Sequence, residues 1–186
     1  MIMRNLPLRV LSRKFLINAA HKVNAKLCVI SYNSRGFCAN KQNTCNALLN
    51  EGIIGDKIPI LCNQENFLLK GSCYKINQAI DGFHCFINPA VKQSHDKGRP
   101  KNGMFIAVPE ILENKIEDVS PDFWRLQHLI IKNLNGSIML IILYFPVDQR
   151  TQTSNEEELL ETLEIIRQLI HKNNFYSSSL GWRYKC

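Results

Sequence analysis

The stretch Lys26-Leu27-Cys28-Val29-Ile30-Ser31-Tyr32-Asn33-Ser34-Arg35-Gly36 constrains the fold more than any other. Leu27 to Ile30 is an apolar, β-branched run, the mark of a buried strand. It opens into a polar cluster closed by a glycine. A central strand that ends this way puts polar side chains where open α/β sheets build their sites. Three more stretches follow in order. Leu61-Cys62-Asn63-Gln64-Glu65-Asn66 ends a second apolar strand in a carboxylate. Gly98-Arg99-Pro100-Lys101-Asn102-Gly103 leads into a third strand, Met104 to Val108. Ile138 to Phe145 is a fourth, with Tyr144 just before Pro146. That last run is the longest apolar one, far too short for a bilayer, and it reads as a central strand buried on both faces.

Charge needs more care than the net value of +7 suggests. The first acidic residue is Glu51, and the first 50 residues carry eight Lys or Arg. From Leu27 onward 17 basic residues face 16 acidic ones, so the part that reads as folded is nearly neutral. The basic excess belongs to residues 1–25, outside the fold, either as non-domain sequence or as a mitochondrial-type transit peptide. Whole-chain charge is therefore weak support for nucleic acid binding. Hydrophobic content of 45% and charged content of 21% suit one soluble globular domain over residues 26–176. Seven cysteines form no C-x-x-C pair, and Cys28, Cys62 and Cys85 lie in apolar strands. They read as reduced thiols of an intracellular protein of the nucleus or cytoplasm, without disulfide partners. The spacings and the five scattered histidines suggest no zinc cluster.

The remaining elements follow from pattern. Asn40 to Asn50 reads as a helix stopped near Gly52. Ile58 to Gln64 is the second strand, Phe67 to Leu69 a short helical or turn segment closed by Gly71, and Gly82 to Ile87 a strand that pairs with Met104 to Val108. Glu110 to Asp122 reads as an acidic connection. Arg125 to Lys132 and Ser137 to Phe145 form a hairpin about Asn135-Gly136. Asn155 is placed as the cap of a helix running to His171, with Leu159, Leu163, Ile166 and Ile170 as a packing stripe.

Taken together, the four stretches resemble the endonuclease/exonuclease/phosphatase superfamily, and more narrowly the endonuclease domain of non-LTR retroelements. That family opens on a strand ending in an aromatic, Asn and x-Arg-Gly. It continues with a strand ending in Gln-Glu, a Gly-Arg-Pro loop and a strand ending in Tyr-x-Pro. The resemblance covers about residues 26 to 174. It implies an α/β fold, a two-sheet sandwich flanked by helices, here C-terminally truncated. It also implies a Mg2+-dependent phosphodiester hydrolase acting on DNA, with Mn2+ as a substitute. Glu65 is then a metal ligand and Asn33 part of the metal-side network. Tyr144 donates its hydroxyl to the scissile phosphate, and Arg35, Lys97, Arg99 and Lys101 meet the phosphate backbone. Taken singly, each of these residues has a plainer reading: a solvated loop carboxylate, a strand-end Asx turn, a core aromatic, a basic turn. His84, His95 and His128 receive no role.

The family's later motifs, Gly-Asp-x-Asn and Ser-Asp-His, do not occur in this sequence. The first supplies the general base, so the chain carries one half of a nuclease site and reads as inactive by itself. Two other classes stay open: a phosphatase of the same superfamily, and a non-catalytic nucleic-acid-binding or interaction module. Membrane association is not expected, and oligomeric state is not legible. Residues 177–186 fit no strand. Leu-Gly-Trp-Arg-Tyr-Lys-Cys can be written TTG GGC TGG AGA TAT AAA TGT, which one nucleotide on reads Trp-Ala-Gly-Asp-Ile-Asn. A frameshifted copy is the expectation. Sequencing the coding DNA tests it: the shifted frame is expected to encode Gly-Asp-Ile-Asn and later Ser-Asp-His, and restoring it to yield plasmid nicking. Codons that cannot overlap in this way contradict the frameshift.

Overall fold

The computed structural model describes residues 26–52, 57–92, 98–119, 123–133, 136–144 and 152–173. The chain divides into two units, Met1–Tyr144 and Phe145–Cys186, each described by itself.

Strand periodicity decides the layers of the first unit. Strand β2, Lys57–Gln64, is buried from Ile58 to Asn63, and its alternate side chains enter different cores. Leu61 points into a core with Phe105 and Ala107 of β4, Met104–Pro109. Cys45 and Leu49 of helix α1, Ala39–Gly52, and Ile76 of the short helix α2, Tyr74–Ala79, close that core. Ile60 and Cys62 point the other way, with Met104, Ile106 and Val108. This second core is shared with Leu129 and Ile131 of β6, Leu126–Asn133, and Ile142 of β7, Gly136–Leu143. The architecture is the expected sandwich of two sheets with helices outside.

The first sheet runs β1-β2-β4-β3, where β1 is Lys26–Asn33 and β3 is Phe83–Asn88. Strands β1 and β2 are parallel, from Lys26 opposite Lys57 to Asn33 opposite Gln64. Their polar C-terminal ends therefore finish side by side. A parallel pair needs a crossover, and α1 supplies it. Gly52 ends that helix where no side chain fits, since a Cβ there would lie 2.8 Å from Pro59 Cβ and 2.9 Å from Ile30 Cδ1. The second sheet, β5-β6-β7, is antiparallel and begins with β5, Ile116–Val119.

Five sequence expectations are corrected. Among the described residues strand β1 lies at a sheet edge and Val29 is 52% exposed, so its apolar run does not mark a central strand. Strand β7 is likewise an edge among the described residues, with Ile138 43% exposed. An apolar run reports that a strand touches cores; it does not report how many neighbours the strand has. The acidic connection contains a 3-10 turn, Glu110–Lys115, and strand β5, whose charges suit an edge. The second unit's helix α3 spans Gln152–Lys172, so Asn155 lies inside it. Thr153, Ser154 and Asn155 are all capping types, and sequence alone does not choose among them. Of the expected stripe, Leu159 and Leu163 are exposed and Ile166 and Ile170 half-buried. Helix α2 was not anticipated; its signal is only Ile76 and Ile80, four apart and buried.

No described helix is long and apolar enough to cross a membrane. Cys45, Cys62 and Cys85 are buried, and burial pushes their thiols up to about 11, 12 and 12. Phe105 is fully buried and meets the Phe37 ring edge-on at 5.7 Å. Phe105→Ala is expected to destabilise the fold by about 3–5 kcal/mol. Val29→Thr at the exposed edge is expected to change stability by about 0.5 kcal/mol or less. Urea midpoints check both, and equal effects would contradict the burial pattern.

Candidate metal and phosphate site

Three loops converge where β1 and β2 end. The loop after β1 is laced to β2 by successive backbone bonds. Ser34 N donates to Gln64 O at 3.0 Å, Gly36 N to Glu65 O at 2.6 Å, and Phe37 N to Asn66 O at 2.9 Å. Ser34 is fully buried beneath them, its hydroxyl 3.1 Å from Asn63 Oδ1 and Gln64 O and 3.3 Å from Glu65 O. The loop before β4 joins from the other side. Asn66 N donates to Gly103 O at 3.0 Å and Phe67 N to Asn102 O at 3.1 Å.

The backbone is bent to allow this. Arg35, Glu65, Phe67 and Asn102 hold φ values of 49°, 55°, 58° and 64°, in the left-handed region. For residues with a side chain each such angle costs of order 1–2 kcal/mol, and conformations like these concentrate at functional sites. Gly103 has φ 86°, and a Cβ there would strike the Asn66 amide.

The second sheet reaches the same place through Tyr144, which follows β7. Its amide donates to Arg125 O at 2.9 Å, and its hydroxyl donates to the Glu65 carboxylate. Beside it Gln64 Nε2 donates to Leu143 O at 3.0 Å. Arg125, itself buried, stacks its guanidinium 4.2 Å from the Trp124 ring centroid. Burial first, then the hydrogen bond and charge of Glu65, push the Tyr144 phenol up to about 12; the Arg125 charge pulls the other way.

Of the residues singled out by sequence, the structure brings Glu65 and Tyr144 into contact. Asn33 ends the strand beside them, exposed, with its Oδ1 accepting from Arg35 N at 3.1 Å in an Asx turn. Arg35 is exposed on that turn. Arg99 is exposed, and Lys101 is held by backbone bonds to Val91, one residue from the Asn102–Gly103 contact with β2. Lys97 and His95 lie outside the described residues. His84 pairs with Glu113 at 3.0 Å, away from these loops on β3. Sequence reasoning missed Ser34, Asn102 and Arg125. The available signal was the Trp124-Arg125 pair opening a strand and the Asn-Gly step before β4.

Among the described residues no three His, Cys, Asp or Glu side chains gather as a metal cluster. Glu65 and, on the paired strand end opposite Gln64, Asn33 offer oxygen donors only, with one carboxylate, and the Asn33 amide oxygen accepts from Arg35 N. Such a set fits a hard cation that keeps most of its waters, as Mg2+ does, and does not fit Zn2+.

No family model matches the chain, and no curated protein matches it in sequence. Solved structures do. It is similar to an AP endonuclease, LMAP, from Leishmania major, with TM-score 0.55 and 12% identity over 83% of this chain and 50% of that one. It is also similar to truncated TDP2 from Caenorhabditis elegans, with TM-score 0.52 and 13% identity over 78% of this chain and 56% of that one. The chain thus spans about half the length of each. These likenesses show the fold: a sandwich of the endonuclease/exonuclease/phosphatase type.

A raised phenol pKa means that the folded state holds the Tyr144 proton more tightly than the unfolded chain does. Its stabilising contribution is complete below the ordinary value of 10.0 and is lost as pH rises through about 12. Wild-type urea midpoints are expected to fall over that window, and Tyr144→Phe to fall less. Parallel curves for the two proteins would contradict the Glu65 contact.

Proposed function

We propose that this chain is the Glu65-bearing part of a divalent-metal-dependent phosphodiester hydrolase that acts on DNA, of the retroelement endonuclease type. The observation that carries the reading is the hydrogen bond from Tyr144 to Glu65 at the joined ends of β2 and β7. It sets a carboxylate, a phenol and the Asn33 amide at one polar edge, with Arg99 and Lys101 on the loop that abuts it. The fold shared with an AP endonuclease supports the same class of chemistry.

Glu65 and Asn33 hold Mg2+ in this reading. The bound ion supplies Lewis-acid stabilisation of charge on the phosphate. Tyr144 would turn its hydroxyl from Glu65 to a phosphate oxygen, a phenol being a donor at neutral pH. Arg99 offers a bidentate fork to the DNA backbone, and Lys101 a point charge. Neither Gly-Asp-x-Asn nor Ser-Asp-His occurs in the 186 residues, so the chain alone binds and positions without an evident general base. A missing base removes about 10²- to 10⁴-fold in rate, and the isolated chain is proposed to be silent in nicking.

Calorimetric titration with Mn2+ and a short DNA duplex tests this directly. One Mn2+ site is expected in the wild type and none in Glu65→Gln. Arg99→Ala is expected to weaken duplex binding about equally for unrelated sequences and to lower the salt slope by about 1. Mn2+ affinity that is unchanged in Glu65→Gln contradicts the reading.

A further inference from the structure

We infer that Asn102 is a positioning residue, whose buried amide holds the turn that sets Tyr144 against Glu65. The inference rests on the metal-site reading above and adds a residue to it. Asn102 is 1% exposed and lies in the loop before β4, with φ 64°. Its carbonyl accepts from Phe67 N at 3.1 Å, which ties it to the backbone just after Glu65. Its side-chain Nδ2 donates to the carbonyl of Trp124, in the turn that leads into β6 of the other sheet. The next carbonyl along, that of Arg125, accepts the Tyr144 amide, and the Tyr144 hydroxyl returns to Glu65. The bonds close a ring through both sheets.

Side-chain amides from two directions meet the turn at Phe123–Leu126. Leu126 N donates back to Phe123 O at 3.2 Å, and Asn88 Nδ2 reaches Phe123 O at 3.0 Å and Leu126 O at 3.3 Å. Trp124 O, the carbonyl between these, is met by Asn102. Half-buried Trp124 takes its partner from a buried side-chain amide whose own backbone is left-handed. That geometry also leaves Asn102 Oδ1 and Asn66 Nδ2 buried without hydrogen-bond partners on either side of the Glu65 segment. Both amides lie against the segment that presents Glu65: Asn102 O accepts from Phe67 N, and Asn66 N donates to Gly103 O. What the arrangement holds in place is the orientation of the Glu65–Tyr144 pair.

Asn102→Gly tests the inference, because glycine keeps the left-handed backbone and removes only the amide. The metal-free readout is amide hydrogen exchange. Tyr144 N–H is expected to exchange at least about tenfold faster, with amides of β4 unchanged. Mn2+ affinity at a temperature well below melting is expected to fall roughly 10- to 100-fold, as for lost outer-shell partners. Cys85→Ala, a buried change in the other core, lowers melting temperature without altering Mn2+ affinity. Should Asn102→Gly fail to fold, Asn102→Asp keeps the shape, replaces the donor with an acceptor and is expected to give the same losses. Unchanged exchange at Tyr144 in a folded variant overturns the inference. Glu65→Gln with full Mn2+ affinity overturns the site reading instead, whatever exchange shows, so the two failures are distinguishable.

Discussion

The backbone of Gln64-Glu65-Asn66 is the constraint on which the polar end of this fold depends. Its three carbonyls accept three amides of the loop after β1, and the Asn66 amide donates to Gly103. The Gln64 side chain reaches the last carbonyl of β7. Glu65 and Phe67 both turn left-handed here, and the neighbouring loops dock on each side. The strain is offset by hydrogen bonds that would otherwise go unmade. A carboxylate is thereby fixed in direction by backbone geometry, before any ligand arrives.

Two cores keep that segment in place. Alternation along β2 and β4 sends Leu61 and Phe105 toward the helices and Ile60 and Ile106 toward the second sheet. Since both sheets pack through the second core, the ends of β2 and β7 meet at fixed distance. Tyr144 can then contact Glu65 although 79 positions separate them in the chain. The edges are less well covered. Val29 on β1 and Ile138 on β7 stand in solvent among the described residues, each on an outermost strand. Exposed apolar positions on edge strands invite pairing with other polypeptide.

Much of this was legible in the sequence for physical reasons. Runs of β-branched residues ending in polar clusters gave the strands of the first sheet within a residue or two, and Asn135-Gly136 gave the hairpin of β6 with β7. Glu65 and Tyr144 stood out through the resemblance; taken singly, a loop carboxylate and a strand-end aromatic are ordinary. Other features were hidden. Edge and centre look alike in a one-dimensional pattern, so β1 and β7 were both read as central. Helix α2 rests on two isoleucines, and β5 is disguised by its acidic residues. Ser34 and Asn102 act through backbone groups distant in the chain, and no local pattern reports such partners. Asn33 shows the opposite limit: the Asx turn that sequence offers for it is present, with its Oδ1 on Arg35 N.

The most direct measurement is the position of a bound cation. Paramagnetic broadening by substoichiometric Mn2+, followed in amide NMR spectra of the wild-type chain, reports it residue by residue. Broadening centred on Gly36, Glu65, Asn66 and Tyr144 is the result expected of a site built on β2. Broadening centred instead on Glu113 or on the acidic residues of α3, with the Glu65 segment untouched, would contradict it.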